Sequence, residues 1–329
     1  MTLDDYCTSF SKLTRAPGRM WGTATRNRAP HKPLLLLAVM DLIARSVITS
    51  RFISISGELV ELNELFTDYW RSIVPVAQTS SIAFPFSRLH TENFWKLVPL
   101  PGKEITRPII NSVTTVTQLR NVALGAEIDE ALYLYMASPE GRNALGAALL
   151  RSCFSEDGQN ALREQSGIHG EAFQYSRVLE QAAHTKTAGE AIFPEQYKAA
   201  ARDQGFRRAI VSNYDHRCAF CRTRIVTSEG HTAVDAAHIV PWSISKNDDI
   251  RNGMALCKLC HWGFDEGLMG VSDSYVVIIS KQVAQTHNSA GALMNLADKN
   301  IHGPQDEALW PYRAYLASHR ERHRERLRS

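Results

Sequence analysis

Two Cys-x-x-Cys pairs, Cys218/Cys221 and Cys257/Cys260, constrain this chain more than any other feature of it. Thirty-five residues separate Cys221 from Cys257, a spacing suited to two knuckles that enclose a small module. Four thiolates make a soft, closed donor shell that matches tetrahedral zinc and leaves no position open for water. The pairs therefore predict a structural zinc ion, with a redox role as the lesser alternative. Cys7 and Cys153 are isolated and read as ordinary thiols. The longest apolar run near the N-terminus, Leu34 to Met40, is too short and too late for a secretory signal, and no run of eighteen apolar residues exists. No membrane span is expected and a cytoplasmic location follows.

Between the knuckles lies Val234-Asp235-Ala236-Ala237-His238-Ile239-Val240-Pro241-Trp242, and the second knuckle sits in Asn252-Gly253-Met254-Ala255-Leu256-Cys257-Lys258-Leu259-Cys260-His261, followed by Trp262-Gly263-Phe264-Asp265. This string closely resembles the HNH, or ββα-metal, nuclease motif, over about residues 191 to 285. The resemblance implies a hairpin presenting His238, a loop asparagine at Asn252, and a helix carrying His261 and a further ligand. Physical chemistry supports each role separately. His261 and Asp265 are four apart, hence on one helical face where both reach one cation. A neutral imidazole at His238 can take a proton from water near pH 7. The expected roles are His238 as general base, His261 and Asp265 as ligands of a catalytic Mg²⁺ or Mn²⁺, and Asn252 as the residue that holds the loop. Many such motifs carry a His or Asp directly before the base; here that position is Ala237. Asp235, two residues earlier on the same strand face as Ala237, is the expected substitute ligand or orienting group. Taken singly, His238 and His261 would read as structural histidines beside a zinc knuckle; their joint spacing with Asn252 and Asp265 favours catalysis.

The charge pattern points the same way. The net charge is only +3, but no acidic residue occurs between Tyr6 and Met40, where Lys12, Arg15, Arg19, Arg26, Arg28 and Lys32 all lie. The last eleven residues alternate basic and acidic groups from His319 to Ser329. Local basic segments suit contact with phosphates; solvated faces and a frayed tail are the simpler alternative. Arg26-Asn27-Arg28-Ala29-Pro30-His31-Lys32-Pro33-Leu34-Leu35-Leu36-Leu37 and Phe84-Pro85-Phe86-Ser87-Arg88-Leu89, with Trp95 following, look like the sulfur-binding domain of HNH restriction enzymes directed at phosphorothioate-modified DNA. The likeness covers roughly residues 15 to 165. It implies that Phe84, Pro85 and Phe86 line a pocket for sulfur, while Arg26, Arg28, His31, Lys32 and Arg88 hold phosphates or read base edges. A core turn and a basic loop entering a buried helix would produce the same composition.

The expected fold class is α+β: a mixed N-terminal DNA-reading domain over 1–165, a linker with a connecting helix over 166–190, and a zinc-stabilised ββα-metal nuclease domain over 191–329 with a basic tail. Within the first domain, His31 to Arg45 reads as a buried helix, Arg51 to Ile55 as a short strand, and Gly57 to Ile73 as an amphipathic helix. Ile82 to Trp95 reads as turn and strand, and Ser138-Pro139-Glu140 as a helix start. The expected partner is double-stranded DNA, phosphorothioate-modified, cut by a type IV-like restriction endonuclease that acts as a possible homodimer. Two alternatives stay open: a nuclease reading methylated or unmodified sequence, and a zinc-containing DNA-binding protein whose catalytic site has decayed.

Overall fold

The structure, a computed structural model, describes residues 1–55, 59–185, 187, 197–227, 231–285 and 291–328. The chain divides into two compact units, one formed by Met1–Gly167 with Thr227–His231, the other by Ile168–Val226 with Thr232–Ser329. The expected domain start at 191 lies outside the described residues.

The first unit opens with α1 (Leu3–Ser11), whose Thr2 and Asp5 cap each other's backbone N–H groups. Helix α2 (His31–Ala44) is buried nearly all round, because Leu34–Leu36 and Ala38–Met40 leave no polar stripe. β1 (Phe52–Ser54) is followed by α3 (Leu59–Ile73), where Leu62, Phe66, Tyr69, Trp70 and Ile73 face the core as the periodicity predicts. Next comes α4 (Ala83–Arg88), then β2 (Trp95–Pro99). The stretch from Ile82 to Trp95 is thus largely helical, not turn and strand. Pro85 sits in the first turn of α4, where its missing N–H costs nothing, and only Trp95 belongs to a strand. After α5 (Arg107–Ser112) and α6 (Val116–Arg120), β3 (Ala123–Ile128) enters the centre of an antiparallel sheet ordered β1-β3-β2. Ile53 stands opposite Ala126, and Trp95 opposite Ile128. α7 (Glu130–Ala137) and α8 (Pro139–Cys153) close the unit; Ser138 caps α8 through Gly141 N–H, a contact worth about 1 kcal/mol.

The expected connecting helix lies within α9 (Glu156–Thr185), a single helix of 30 residues. Its Tyr175, Leu179, Ala182 and Ala183 are buried in the core of the second unit. There they meet α10 (Ala199–Asn213) and its Phe206, Ala209 and Ile210. Gly205 permits this approach, since a Cβ there would come within 2.6 Å of the Ala172 carbonyl on α9. β4 (Val234–His238) leads into the short α11 (Trp242–Ser245) and then pairs antiparallel with β5 (Gly253–Cys257), placing His238 opposite Gly253. α12 (Lys258–Asp265) follows directly, giving the two strands and one helix that the nuclease motif implies. A second pair, β6 (Met269–Val271) with β7 (Val277–Ile279), lies between α12 and the short helices α13 (Gln282–Gln285) and α14 (Gly291–Met294).

The C-terminal segment is not a frayed tail. It forms α15 (Arg313–Arg322) and α16 (Arg324–Arg328). His319 is fully buried, stacks on Phe264 at 3.7 Å and donates from Nε2 to the Phe264 carbonyl. Arg320 binds the Val271 carbonyl and Asp273, and Arg326 reaches Glu266. The alternating charges thus hold α15 and α16 against α12 and β6. Among the described residues, no helix is long and apolar enough to cross a membrane.

Candidate functional site

Four cysteines converge in the second unit. The knuckle at Cys218–Cys221 is turned by Arg222 in the left-handed region and tied to β5 by Ala219 N–H donating to Ala255 at 2.8 Å. The other knuckle uses the strand-to-helix corner, with Cys257 ending β5 and Cys260 in the first turn of α12. All four Sγ atoms lie within 4.8 Å of one another, and Cys221 and Cys257 are 3.7 Å apart. Corners of a tetrahedron around zinc, at about 2.3 Å per Zn–S bond, stand roughly 3.8 Å apart. Donor set and spacing both fit a structural metal ion, and no sulfur–sulfur bond competes for these thiols.

His238 ends β4, and its ring is held on two sides. One face stacks on Phe206 of α10 at 4.0 Å and 7°. Its Nε2 lies 2.8 Å from Oδ1 of Asp248, which is only 1% exposed. Because a carboxylate oxygen can only accept, Nε2 carries the proton. Tyr175 of α9 donates to the other oxygen of Asp248 at 3.0 Å, and Arg202 Nε stands 3.6 Å from it. Asn252, fully buried, accepts from Val240 N–H and donates to the carbonyls of Val240 and Asn247. Its backbone carbonyl also takes the Ile239 N–H at 2.8 Å. The loop after His238 is therefore closed on Asn252, and the adjacent Arg251 is locked by Asp249 at 2.9 Å. Sequence reasoning missed Asp248, Tyr175 and Phe206; the Asp248-Asp249 doublet between His238 and Asn252 was the available signal.

His261 and Asp265 share a face of α12, with Nε2 and Oδ2 3.5 Å apart and both side chains partly open to solvent. Such a pair fits one divalent cation by donor type and spacing. Asp235 does not join it. Its carboxylate accepts from Arg207 Nε at 3.0 Å. Among the described residues, the four cysteines are the single close cluster of three or more potential ligands. Ala237 is fully buried and contributes packing alone.

In the first unit, Trp21, His31, Lys32, Phe84, Pro85 and Arg88 line a largely apolar cavity of about 540 Å³. His31 meets the rings of Trp21, Trp70 and Phe84 at about 5 Å, and its Nδ1 has no hydrogen-bond partner among the described residues. Burial drives its pKa down to about 4, so the ring is neutral at pH 7. Lys32 is neutralised by Glu92 at 2.5 Å. Several expected readers are buried or already engaged. Phe86 is fully buried edge-on to Trp95, on the inner side of α4, and is not part of this cavity's lining. Arg26 spends its guanidinium on the Phe154 and Arg151 carbonyls, and Arg88 on Ile110 and Asn111. The Arg28 side chain is exposed, with no hydrogen-bond or ion-pair partner among the described residues.

Against known proteins, residues 218–272 match the family model for an HNH endonuclease, and residues 17–171 match the model for a ScoMcrA-like DNA sulfur-binding domain. The chain thus carries a sulfur-binding domain followed by an HNH endonuclease domain. Its fold, α+β with four cysteines gathered in the nuclease domain, agrees with both assignments. Among solved structures, the modification-dependent TagI restriction endonuclease matches at 21% identity and a TM-score of 0.26, covering 36% of either chain. The chain thus spans about a third of that relative's length. The type IV phosphorothioation-dependent restriction endonuclease ScoMcrA matches at 11% identity and a TM-score of 0.30, over 96% of this chain and 99% of the other. No curated protein matches significantly.

Proposed function

We propose that this chain is a modification-dependent DNA endonuclease that reads a phosphorothioate linkage with its first unit and hydrolyses a phosphodiester bond with its second. The observation that carries the reading is the presence, on one chain, of a sulfur-binding domain and an HNH endonuclease domain. The cavity beside Phe84 and Pro85 supports it. Sulfur in place of a non-bridging oxygen is larger, softer and a poor hydrogen-bond acceptor. An apolar wall with a neutral His31 and a neutralised Lys32 costs it little desolvation. The same wall penalises an ordinary phosphate, whose oxygens would lose water without replacement donors, so rejection contributes as much as attraction.

At the nuclease site His238 is the general base, taking a proton from the attacking water through Nδ1, the nitrogen that Asp248 leaves free. His261 and Asp265 would hold the divalent ion, Mg²⁺ or Mn²⁺; bound there, it supplies neutralisation of charge on the phosphorane and the departing oxygen. Asn252 keeps the loop from Ile239 to Asn247 in place behind the base. The four cysteines would hold zinc, and free thiols kept for a metal suit the reducing cytoplasm. Cutting both strands calls for two centres, which two copies on one DNA would provide.

Supercoiled plasmids of one sequence, sulfur-modified, methylated or plain, incubated with Mg²⁺ or Mn²⁺, test the reading. Linearisation of the modified plasmid alone is expected. Equal cutting of all three, or of the methylated one alone, would overturn the sulfur assignment. Tight binding to modified DNA without a nick would instead mark a decayed nuclease, the reading that Ala237 and the engaged Asp235 favour.

A further inference from the structure

We infer that Asp248 is the positioning residue for the base: it selects the His238 tautomer and, held in turn by Tyr175, fixes the rotation of the imidazole within its plane. The inference rests on the reading of His238 as general base and deepens it. Asp248 is ten residues from His238 and belongs to no strand or helix, yet it is almost completely buried. A buried carboxylate is costly unless each oxygen is occupied. Here Oδ1 takes the imidazole N–H at 2.8 Å, while Oδ2 takes the Tyr175 hydroxyl at 3.0 Å and faces Arg202 at 3.6 Å. Arg202 is itself fixed, with its guanidinium 3.6 Å over the Trp242 ring and paired to Asp203.

Two constraints follow for the ring. The Phe206 stack fixes the imidazole plane but allows rotation within it. The Asp248 bond removes that freedom, and because the acceptor is a carboxylate it also fixes which nitrogen bears hydrogen. Nε2–H is the donor, so the lone pair sits on Nδ1 and is directed away from the buried carboxylate. A base whose orienting group is a buried acid keeps one protonation pattern without needing the substrate to impose it. As Nδ1 accepts a proton, the resulting imidazolium remains paired with the Asp248 carboxylate. Among the described residues, no other acidic group is hydrogen-bonded to the ring.

The test uses the full-length protein. On the wild type, ¹⁵N NMR of labelled histidine should show His238 as the Nε2–H tautomer near pH 8; an Nδ1–H tautomer would overturn the inference without any variant. Asp248→Asn offers an amide that can donate to Nε2 and favour the opposite tautomer. Single-turnover cleavage of sulfur-modified DNA should fall by about 10²–10⁴-fold, with bound metal and DNA affinity unchanged. Tyr175→Phe, which removes one hydroxyl, should slow cleavage by about 3–30-fold and mix the tautomers. A folded Asp248→Asn protein that cuts within threefold of wild type with the wild-type tautomer would also overturn it. Failure of the wild type to cut any DNA would count against the nuclease reading, while the tautomer would still report on the Asp248–His238 pair.

Discussion

At the scale of single residues, a cation's position in the sequence says little about its availability. Arg26 and Arg28 are two residues apart, but the guanidinium of the former is consumed by the carbonyls of Phe154 and Arg151 while that of the latter has no such partner among the described residues. Arg28→Ala should therefore weaken DNA binding and lower the salt slope by about one released counterion, measured by binding titrations at several ionic strengths. Arg26→Ala should instead lower the melting temperature and leave that slope unchanged. His31 makes a pH prediction. An unfolded histidine titrates near 6.5 and the buried one at about 4. Between those values the unfolded chain binds more protons, so stability is full above 6.5 and declines as pH falls toward 4, by up to about 3 kcal/mol. Thermal melts across that window should show the decline, and His31→Phe should flatten it.

At the scale of elements, legibility followed the distance in sequence between partners. The cysteines, His238, Asn252, His261 and Asp265 stand within 48 residues (218–265) and report through their spacing and its likeness to a known motif. Asp248 was passed over because its partners, Tyr175 and Arg202, lie 73 and 46 residues upstream, and only the crossing of α9 and α10 brings them to it. Phe84-Pro85-Phe86 was misread because alternation over three residues cannot distinguish a strand from a single helical turn; the turn sends Phe84 to the cavity and Phe86 inward. Asp235 looked like a ligand because its chain neighbour Ala237 lacked a donor, whereas Arg207 on α10 takes its charge. Gly253 carries an element-level prediction. A Cβ there would stand 2.4 Å from Ile210 Cδ1 and 2.8 Å from Phe206 Cζ. Gly253→Ala should cost about 1–3 kcal/mol of stability and, by displacing the Phe206 stack, reduce cleavage at least about tenfold. Unfolding curves and single-turnover rates check both.

For the whole molecule, reading and cutting are assigned to separate units with separate cores. His238→Ala should abolish cleavage by about a thousandfold or more yet keep affinity for sulfur-modified DNA within about twofold, as gel-shift and nicking assays would show. Cysteine loss should have the opposite reach. Cys257→Ser removes a ligand at the corner between β5 and α12, so bound zinc and the cooperative unfolding of the second unit should both be lost, while the first unit melts as before.

That corner has a practical consequence. Cys260 and His261 are consecutive on one turn of α12, so on the proposed assignment the sulfur-held ion and the hydrolytic ion would share a support. A chelator that inactivates the enzyme has two ways to do so. Adding magnesium back will restore turnover after gentle EDTA treatment, which spares the thiolate cluster. After a stronger treatment that strips the thiolates, magnesium alone will not restore it, because the helix that presents His261 will have lost its anchor.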